Sequence, residues 1–231
     1  MEENGNYLRL NGILTDNPVY GHEVFGEKFY YATLSVPRLS GAEDLLPVTL
    51  SERLMEGTKL EIGAPLSIEG QLRSYNKVID GQGRLLITGF AQRLLDPESD
   101  ENPNQVQLTG ALCKLPSYRT TPFGREIADL MLAVNRAYGK SDYIPCITWG
   151  RTARFASHVK VGDKVTLLGR FQSREYQKQL ADGSVISKTA YEVSVGRLTM
   201  AESVQSAPFV IRKEHMDELM QSDMHTSMQP Q

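Results

Sequence analysis

Apolar and polar residues alternate along most of this chain with the period of a β-strand. In the second half, Val106 and Leu108 open an alternating run over 105–112 that predicts a strand. Further runs over 127–134, 143–149, 164–176 and 189–195 predict four more. The turn Pro122-Phe123-Gly124 leads into the second of these, and Ala181-Asp182-Gly183-Ser184 reads as a hairpin turn whose Asp-Gly pair supplies positive φ. Pro145 marks the third run as an edge strand or a strand start. Only 152–159 breaks the pattern: Ala153, Ala156 and Val159 fall at helical spacing.

Five strands with a short helix between the third and fourth is the order of an OB-fold, a small Greek-key barrel that binds oligonucleotides or oligosaccharides. The first half follows the same plan. An offset of 98 residues lays Asn6-Tyr7-Leu8-Arg9-Leu10-Asn11-Gly12 over Asn104-Gln105-Val106-Gln107-Leu108-Thr109-Gly110. It also lays Pro18 on Pro116, Phe25-Gly26 on Phe123-Gly124, and Asp44 on Asp142, and one residue more brings Gly70 onto Gly169. Residues 51–55 take the place of the helix, and Asp80-Gly81 or Gln82-Gly83 the last hairpin turn. A period of that size is a whole domain. The expected architecture is all-β, two tandem OB-folds over residues 1–103 and 104–201, followed by a tail over 202–231.

Charge separates the copies. Residues 1–103 hold 9 Lys/Arg against 16 Asp/Glu, a balance of −7, whereas residues 104–201 hold 14 against 7, a balance of +7. A basic module inside an acidic chain is the electrostatic footprint expected of nucleic-acid binding. The two cysteines, Cys113 and Cys146, lie in strand contexts and read as free thiols in a reducing cytoplasm. The N-terminus is acidic and polar, without the apolar stretch of a leader, and no run is long enough to span a bilayer. The four histidines share no metal-ligand spacing with the cysteines, and no Walker or dinucleotide loop is present. The expectation is a cytoplasmic protein that is not an enzyme and needs no cofactor.

Leu132-Ala133-Val134-Asn135-Arg136, Ile147-Thr148-Trp149-Gly150 and Val161-Gly162-Asp163-Lys164-Val165, followed by Gly169-Arg170, resemble the bacterial single-stranded DNA-binding protein family. The opening Asn104, Val106, Leu108 and Gly110 carry the same resemblance, which covers 104–200 and, more weakly, 6–95, where Leu66–Arg73 matches best. It implies stacking aromatics at Tyr138, Tyr143, Trp149 and Tyr176, whose counterparts in the first copy are Ser40, Leu45, Ser51 and Tyr75. Trp149 alternates with Ile147, so a core position is the rival to a stacking one; its neighbours Gly150-Arg151 and its counterpart Ser51 favour stacking. Phe171 and Tyr191 are assigned to the core.

Candidate phosphate contacts are Arg119, Arg125, Arg136, Arg151, Arg170, Arg174, Lys178 and Lys188. Arg170, Arg174 and Tyr176 lie an even number of residues apart and share a strand face unless a bulge intervenes. The implied partner is single-stranded DNA, held by stacking and phosphate contacts without sequence preference, in replication, recombination or repair. The resemblance also implies a homodimer presenting four OB-folds, built on the retained strand starts at Asn6–Gly12 and Asn104–Gly110. The first copy, acidic and short of rings at the matching positions, is expected to build the assembly or meet replication and repair proteins, so that Tyr75 matters little. An OB-fold interaction scaffold and a single-stranded RNA binder are the rivals. In the tail, 209–220 reads as a short amphipathic helix and 222–231 as disordered. The Gly/Pro/Gln-rich spacer and acidic Pro-Phe tip that the resemblance implies as a recruiting element are not in this sequence.

Overall fold

The predicted alternation is realised as burial: in β1 (Asn6–Leu14) every second residue from Asn6 to Leu14 faces the interior. The computed structural model describes residues 5–79, 81–96, 102–136, 139–179 and 183–201, and residues 1–201 form one compact unit. The tail helix and disordered end expected within 202–231 lie outside the described residues. After β1 come β2 (Val19–Val24), β3 (Glu27–Pro37), β4 (Glu43–Ser51), α1 (Glu52–Met55), β5 (Pro65–Ile79) and β6 (Gln82–Leu95). The same order recurs in β7 (Asn104–Leu112), β8 (Ser117–Thr120), β9 (Glu126–Asn135), β10 (Ser141–Trp149), α2 (Gly150–Ala156), β11 (Lys164–Gln179) and β12 (Val185–Met200). β2 and β8 were not anticipated; both are exposed arms that pair only with the strand after them, so neither carries a burial pattern to read.

In each copy five strands close a ring. β1 pairs with β5, β5 with β6, β6 in parallel with β4, β4 with β3, and β3 back onto the end of β1 at Ile13↔Ser35. β7, β11, β12, β10 and β9 repeat the ring, with the parallel contact at Cys146–Thr148 directly after Pro145. This is the OB barrel, twice. Leu8, Leu10, Leu34, Leu46, Leu50, Ile68 and Leu72 fill the first barrel, and Leu108, Leu132, Ile144, Val165, Leu167 and Phe171 the second, all essentially inaccessible to solvent. The repeated glycines sit where the ring closes. A Cβ on Gly12 would stand 2.3 Å from the Ser35 carbonyl oxygen, and one on Gly110 2.4 Å from that of Ala133. Only a residue without a side chain lets the strands approach so closely.

The barrels are joined through their first strands. β1 and β7 pair antiparallel from Asn6↔Leu108 to Leu10↔Asn104, a register symmetric under the 98-residue offset. The strand starts assigned by sequence to a contact between chains are therefore paired with each other inside one chain. Asn6 and Asn104 anchor this seam: each buried amide donates to one backbone carbonyl and accepts from the same residue's N–H, at Leu72 (2.7 and 2.9 Å) and Phe171 (2.6 and 2.8 Å) respectively.

Two buried carboxylates lock the seam, one from each copy. Asp44 accepts from Arg38 of its own copy (2.7 and 2.5 Å) and from the Ser173 N–H of the other (2.8 Å), while Arg38 donates to the Ser173 carbonyl (3.0 Å). Asp142 mirrors it with Arg136 (2.5 Å to one oxygen) and the Ser74 N–H (2.5 Å), and Arg136 donates to the Ser74 carbonyl (3.0 Å). Each carboxylate also meets an arginine across the seam, Arg170 at 3.8 Å from Asp44 and Arg73 at 3.1 Å from Asp142. Both aspartates are wholly buried. Burial alone would raise the Asp142 pKa; hydrogen bonds from Arg136, the Ser74 amide and Arg73 outweigh it and hold the carboxyl below its ordinary value.

Removing Asp142 strands two guanidiniums and an amide in this seam, and such a loss costs about 3–5 kcal/mol. Denaturant unfolding of Asp142→Ala should show a midpoint lowered accordingly; a midpoint within error of wild type would contradict the lock. Because the folded pKa is depressed, Asp142 contributes its full stabilisation above the ordinary carboxylate value of 3.8 and loses it as pH falls through the lower folded value. Asp142→Asn should therefore flatten the acid limb of the stability–pH curve.

Candidate nucleic-acid interface

On the second barrel the residues that face away from the core line one outer surface. Trp149 ends β10 opposite Ile127, and Gly150, at φ +52°, turns the chain into α2. Ile147, two residues earlier, is buried at 2% exposure, whereas Trp149 keeps 41% of its surface accessible. The ring lies outside the core, on the wall of a groove of about 700 Å³ that also includes Thr152, Arg170, Arg197, Asn102 and Asn104. A second, smaller groove adjoins it through Asn102, Asn104 and Arg170 and is bounded by Pro37–Ser40 of the first copy. The second barrel's surface thus continues onto the turn of the first.

β11 carries the next elements of the surface. Its only register shift lies between Leu168 and Gly169, before Arg170, so Arg170, Arg174 and Tyr176 share one face as expected. The Arg174 guanidinium stands 5.8 Å from the Tyr176 ring centroid, a cation–π distance, and donates to Glu192 at 3.2 Å. Lys188 on β12 lies directly opposite Tyr176. Tyr143, 47% exposed, opens the inner end of β10, and its N–H donates to the Ser74 hydroxyl of the first copy at 2.8 Å.

The structure sorts the remaining sequence candidates. Arg136 is committed to Asp142 and Ser74, so its guanidinium supports the seam. Arg170 lines the Trp149 groove while also reaching Asp44. Arg119, on β8, pairs with Asp129 at the surface; Arg125 and Arg151 are exposed. Tyr138 and the side chain of Lys178 lie outside the described residues. Phe171 is fully buried and Tyr191 packs against the core, both as expected. Arg197 was missed because the strand read from the sequence stops at Val195, whereas β12 continues through Gly196, at the register shift, to Met200.

The expectation of a ring-poor surface on the first copy is corrected. Its outer surface carries Phe29 and Tyr31 on β3, Phe90 on β6, Tyr75 on β5 and His22 on β2. The His22 and Phe29 rings stack at 5.1 Å and 16°, and Phe29 meets Phe90 at 5.7 Å. The Tyr31 hydroxyl hydrogen-bonds His22 Nδ1 at 3.1 Å, and the Arg73 guanidinium stands 5.8 Å from the Phe90 centroid. The alignment compared only the positions where the second copy has rings; Tyr75 is one of these, and His22, Phe29, Tyr31 and Phe90 lie elsewhere. Ser51, the counterpart of Trp149, instead caps α1 by accepting from the Leu54 N–H at 3.4 Å.

Neither thiol is bonded to the other: Cys146 is buried and Cys113 partly so. Among the described residues no group of His, Cys, Asp or Glu could hold a metal ion, and no helix is long and apolar enough to cross a membrane.

Two OB barrels with an aromatic, arginine-lined outer face define a class of oligonucleotide-binding fold, and the comparisons place the chain within it. Residues 103–201 match the model of the single-strand binding protein family. The single-stranded DNA-binding protein of Bacillus cereus is 38% identical over 109 residues, 44% of this chain and 58% of that protein. Single-stranded DNA-binding protein B of Bacillus subtilis is 37% identical over 83 residues, 33% of this chain and 74% of that protein. The crystal structure of the wild-type single-stranded DNA binding protein from Thermus aquaticus superposes with a TM-score of 0.66 at 26% identity, covering 85% of this chain and 92% of that one. A match of that extent includes both barrels. The chain belongs to the single-strand binding protein family, in its tandem two-OB form, and spans 58% of the length of the Bacillus cereus relative.

Proposed function

We propose that this chain is a sequence-nonspecific single-stranded DNA-binding protein that covers exposed strands during replication, recombination or repair. The observation that carries this reading is Trp149, a large flat ring held 41% exposed in a groove with Arg170 and Arg197. A single strand needs flat surfaces under its bases and cations along its phosphates, and neither requirement depends on sequence. Tyr143, Tyr176 with Arg174, and Lys188 extend the same surface, so residues 104–201, with their balance of +7, carry the larger share of affinity. Tyr138, Arg119, Arg125, Arg151 and Lys178 remain candidate contacts. Binding alone accounts for these residues; catalysis has no part in the reading. Residues 1–103, at −7, are assigned to assembly and to contacts with replication or repair proteins, a role the tail over 202–231 shares.

Trp149 is the single tryptophan of the chain, so its emission reports on this groove alone. Titration with a homopyrimidine DNA oligomer should quench it, and Trp149→Ala should weaken binding by about 1–3 kcal/mol. Unchanged emission at saturation would remove the central contact. A matched RNA oligomer in competition tests the choice of sugar, with DNA expected to win.

Affinity should fall with salt, log K against log salt giving a slope of about −0.7 per phosphate neutralised. A flat response between low and physiological salt would contradict the role of the arginines.

The two barrels use their first-strand edges on each other, so a homodimer of four barrels must form through another face. Light scattering is expected to give twice the chain mass of 25.8 kDa; the mass of one chain would refute the dimer.

A further inference from the structure

Followed through its hydrogen bonds, the sheet of this chain begins at β2 and ends at β8. Among the described residues β2 pairs only with β3 and β8 only with β9, so each leaves one row of backbone donors and acceptors without a strand partner. Such an edge is a template for another strand unless charge, a bulge or a short length blunts it. Here the blunting is partial: β8 has four residues, and β2 is irregular between Tyr20 and His22 but regular from there to Val24.

Both arms are also apolar where they meet solvent. Val19 and Tyr20 on β2 are exposed, as is Leu115 just before β8, and the hairpin tips end in the fully exposed rings of Phe25 and Phe123. Phe25 stands at φ +50°, a left-handed conformation that Gly or Asn adopts at lower cost. Neither core packing nor turn chemistry calls for phenylalanine at these tips. The arms are held in place by their own contacts: Tyr20 meets Tyr30 edge-on at 6.0 Å, and the Tyr118 hydroxyl donates to Glu126 at 2.5 Å.

Charge decides which edges can meet. Residues 16–28, the first arm, hold Lys28 against Asp16, Glu23 and Glu27. The matching residues 114–126 hold Lys114, Arg119 and Arg125 against Glu126. Side chains that reach the arms from neighbouring elements cancel in pairs, Glu52 with Arg53 beside the first arm and Arg154 with Asp129 beside the second. One arm is therefore acidic and the other basic. Pairing β2 with β2, or β8 with β8, sets like charges side by side; only β2 against β8 opposes them.

We propose that β2 of one chain docks antiparallel on β8 of a second copy, a head-to-tail contact additional to the homodimer. In that arrangement the tip of each arm reaches the base of the other. Phe25 meets Leu115 and Phe123 meets Val19, while Lys114 comes beside Glu27 and Arg125 beside Asp16. Because the contact joins two different surfaces of the same chain, it repeats from copy to copy into a ring or an open string. Four residues of pairing make an interface smaller than stable complexes use. The contact therefore forms at high concentration and low salt.

Sedimentation velocity of the full chain without DNA, over rising concentration at low and at high salt, provides the test. Species heavier than the one present in dilute solution are expected at low salt, growing with concentration and lost at high salt. Their absence at every concentration would overturn the proposal. Two double variants at exposed positions separate the edges: Glu23→Lys with Phe25→Asn on the first arm, and Leu115→Glu with Phe123→Glu on the second. Each variant alone is expected to self-associate about tenfold more weakly or less. A mixture of the two is expected to regain heavier species, through β8 of the first variant and β2 of the second. Undiminished assembly of either variant would mean pairing of like edges or another surface, and would overturn the head-to-tail contact, as would a mixture that regains nothing. None of the four side chains lines the Trp149 groove, so quenching by saturating DNA is expected in both variants.

Discussion

The antiparallel seam between β1 and β7 is the constraint on which the rest of this molecule depends. Pairing from Asn6↔Leu108 to Leu10↔Asn104 fixes one barrel against the other with a near-twofold relation, and every other contact between the copies follows from it. The relation brings the β3–β4 turn of one barrel against β11 of the other, and the β9–β10 turn against β5. Asp44 and Asp142 stand at those two meeting points. A carboxylate taken fully out of water is tolerable only when its lone pairs are filled, and here each is satisfied by an arginine from its own copy and backbone from the other. The backbone thereby becomes part of the ion pair, which gives the seam an angular definition that hydrophobic burial alone would not supply.

The same geometry redistributes charge. Judged by copy, the chain is an acidic barrel followed by a basic one, and electrostatics alone would give all nucleic-acid contact to the second. Arg73 of the acidic copy and Arg136 of the basic one converge on Asp142, and Arg170 of the basic copy reaches Asp44 of the acidic one. Each outer surface is edged by a turn of the opposite barrel. Local potential at either groove is consequently a property of the pair, and the net balance of a domain is a poor guide to its sites.

Divergence between the copies follows from which faces the fold holds fixed. Inward positions are constrained by packing, so Leu10 and Leu108, Leu34 and Leu132, and the closing glycines Gly12 and Gly110 keep their identity or character. Positions outside the shared core vary more: Tyr31 stands for Asp129, the capping Ser51 for the exposed Trp149, and Phe29 for the buried Ile127. Two barrels of one fold have come to carry two arrangements of rings on the same outer face.

The sequence by itself determined the two barrels. Period-two alternation marks each inward face, a helical interruption places α2, and the 98-residue offset exposes the duplication, because burial, turn chemistry and repetition are written along the chain. Its resemblance to the family marked Trp149, Tyr143 and Tyr176, and strand alternation put Arg170 and Arg174 on one face with Tyr176, since one strand's side chains alternate faces regardless of what lies opposite. Only the tertiary structure decided that the retained strand starts pair within the chain, that Arg136 is bound into a buried lock, and that His22, Phe29, Tyr31, Tyr75 and Phe90 converge on one surface. Those residues come from two strand pairs, β2–β3 and β5–β6, that are separated along the chain, and Arg136 and Lys140 of the other copy stand beside them with Arg73. Closure of a barrel and the register of its seam create that proximity, and neither leaves a local signal in the order of residues.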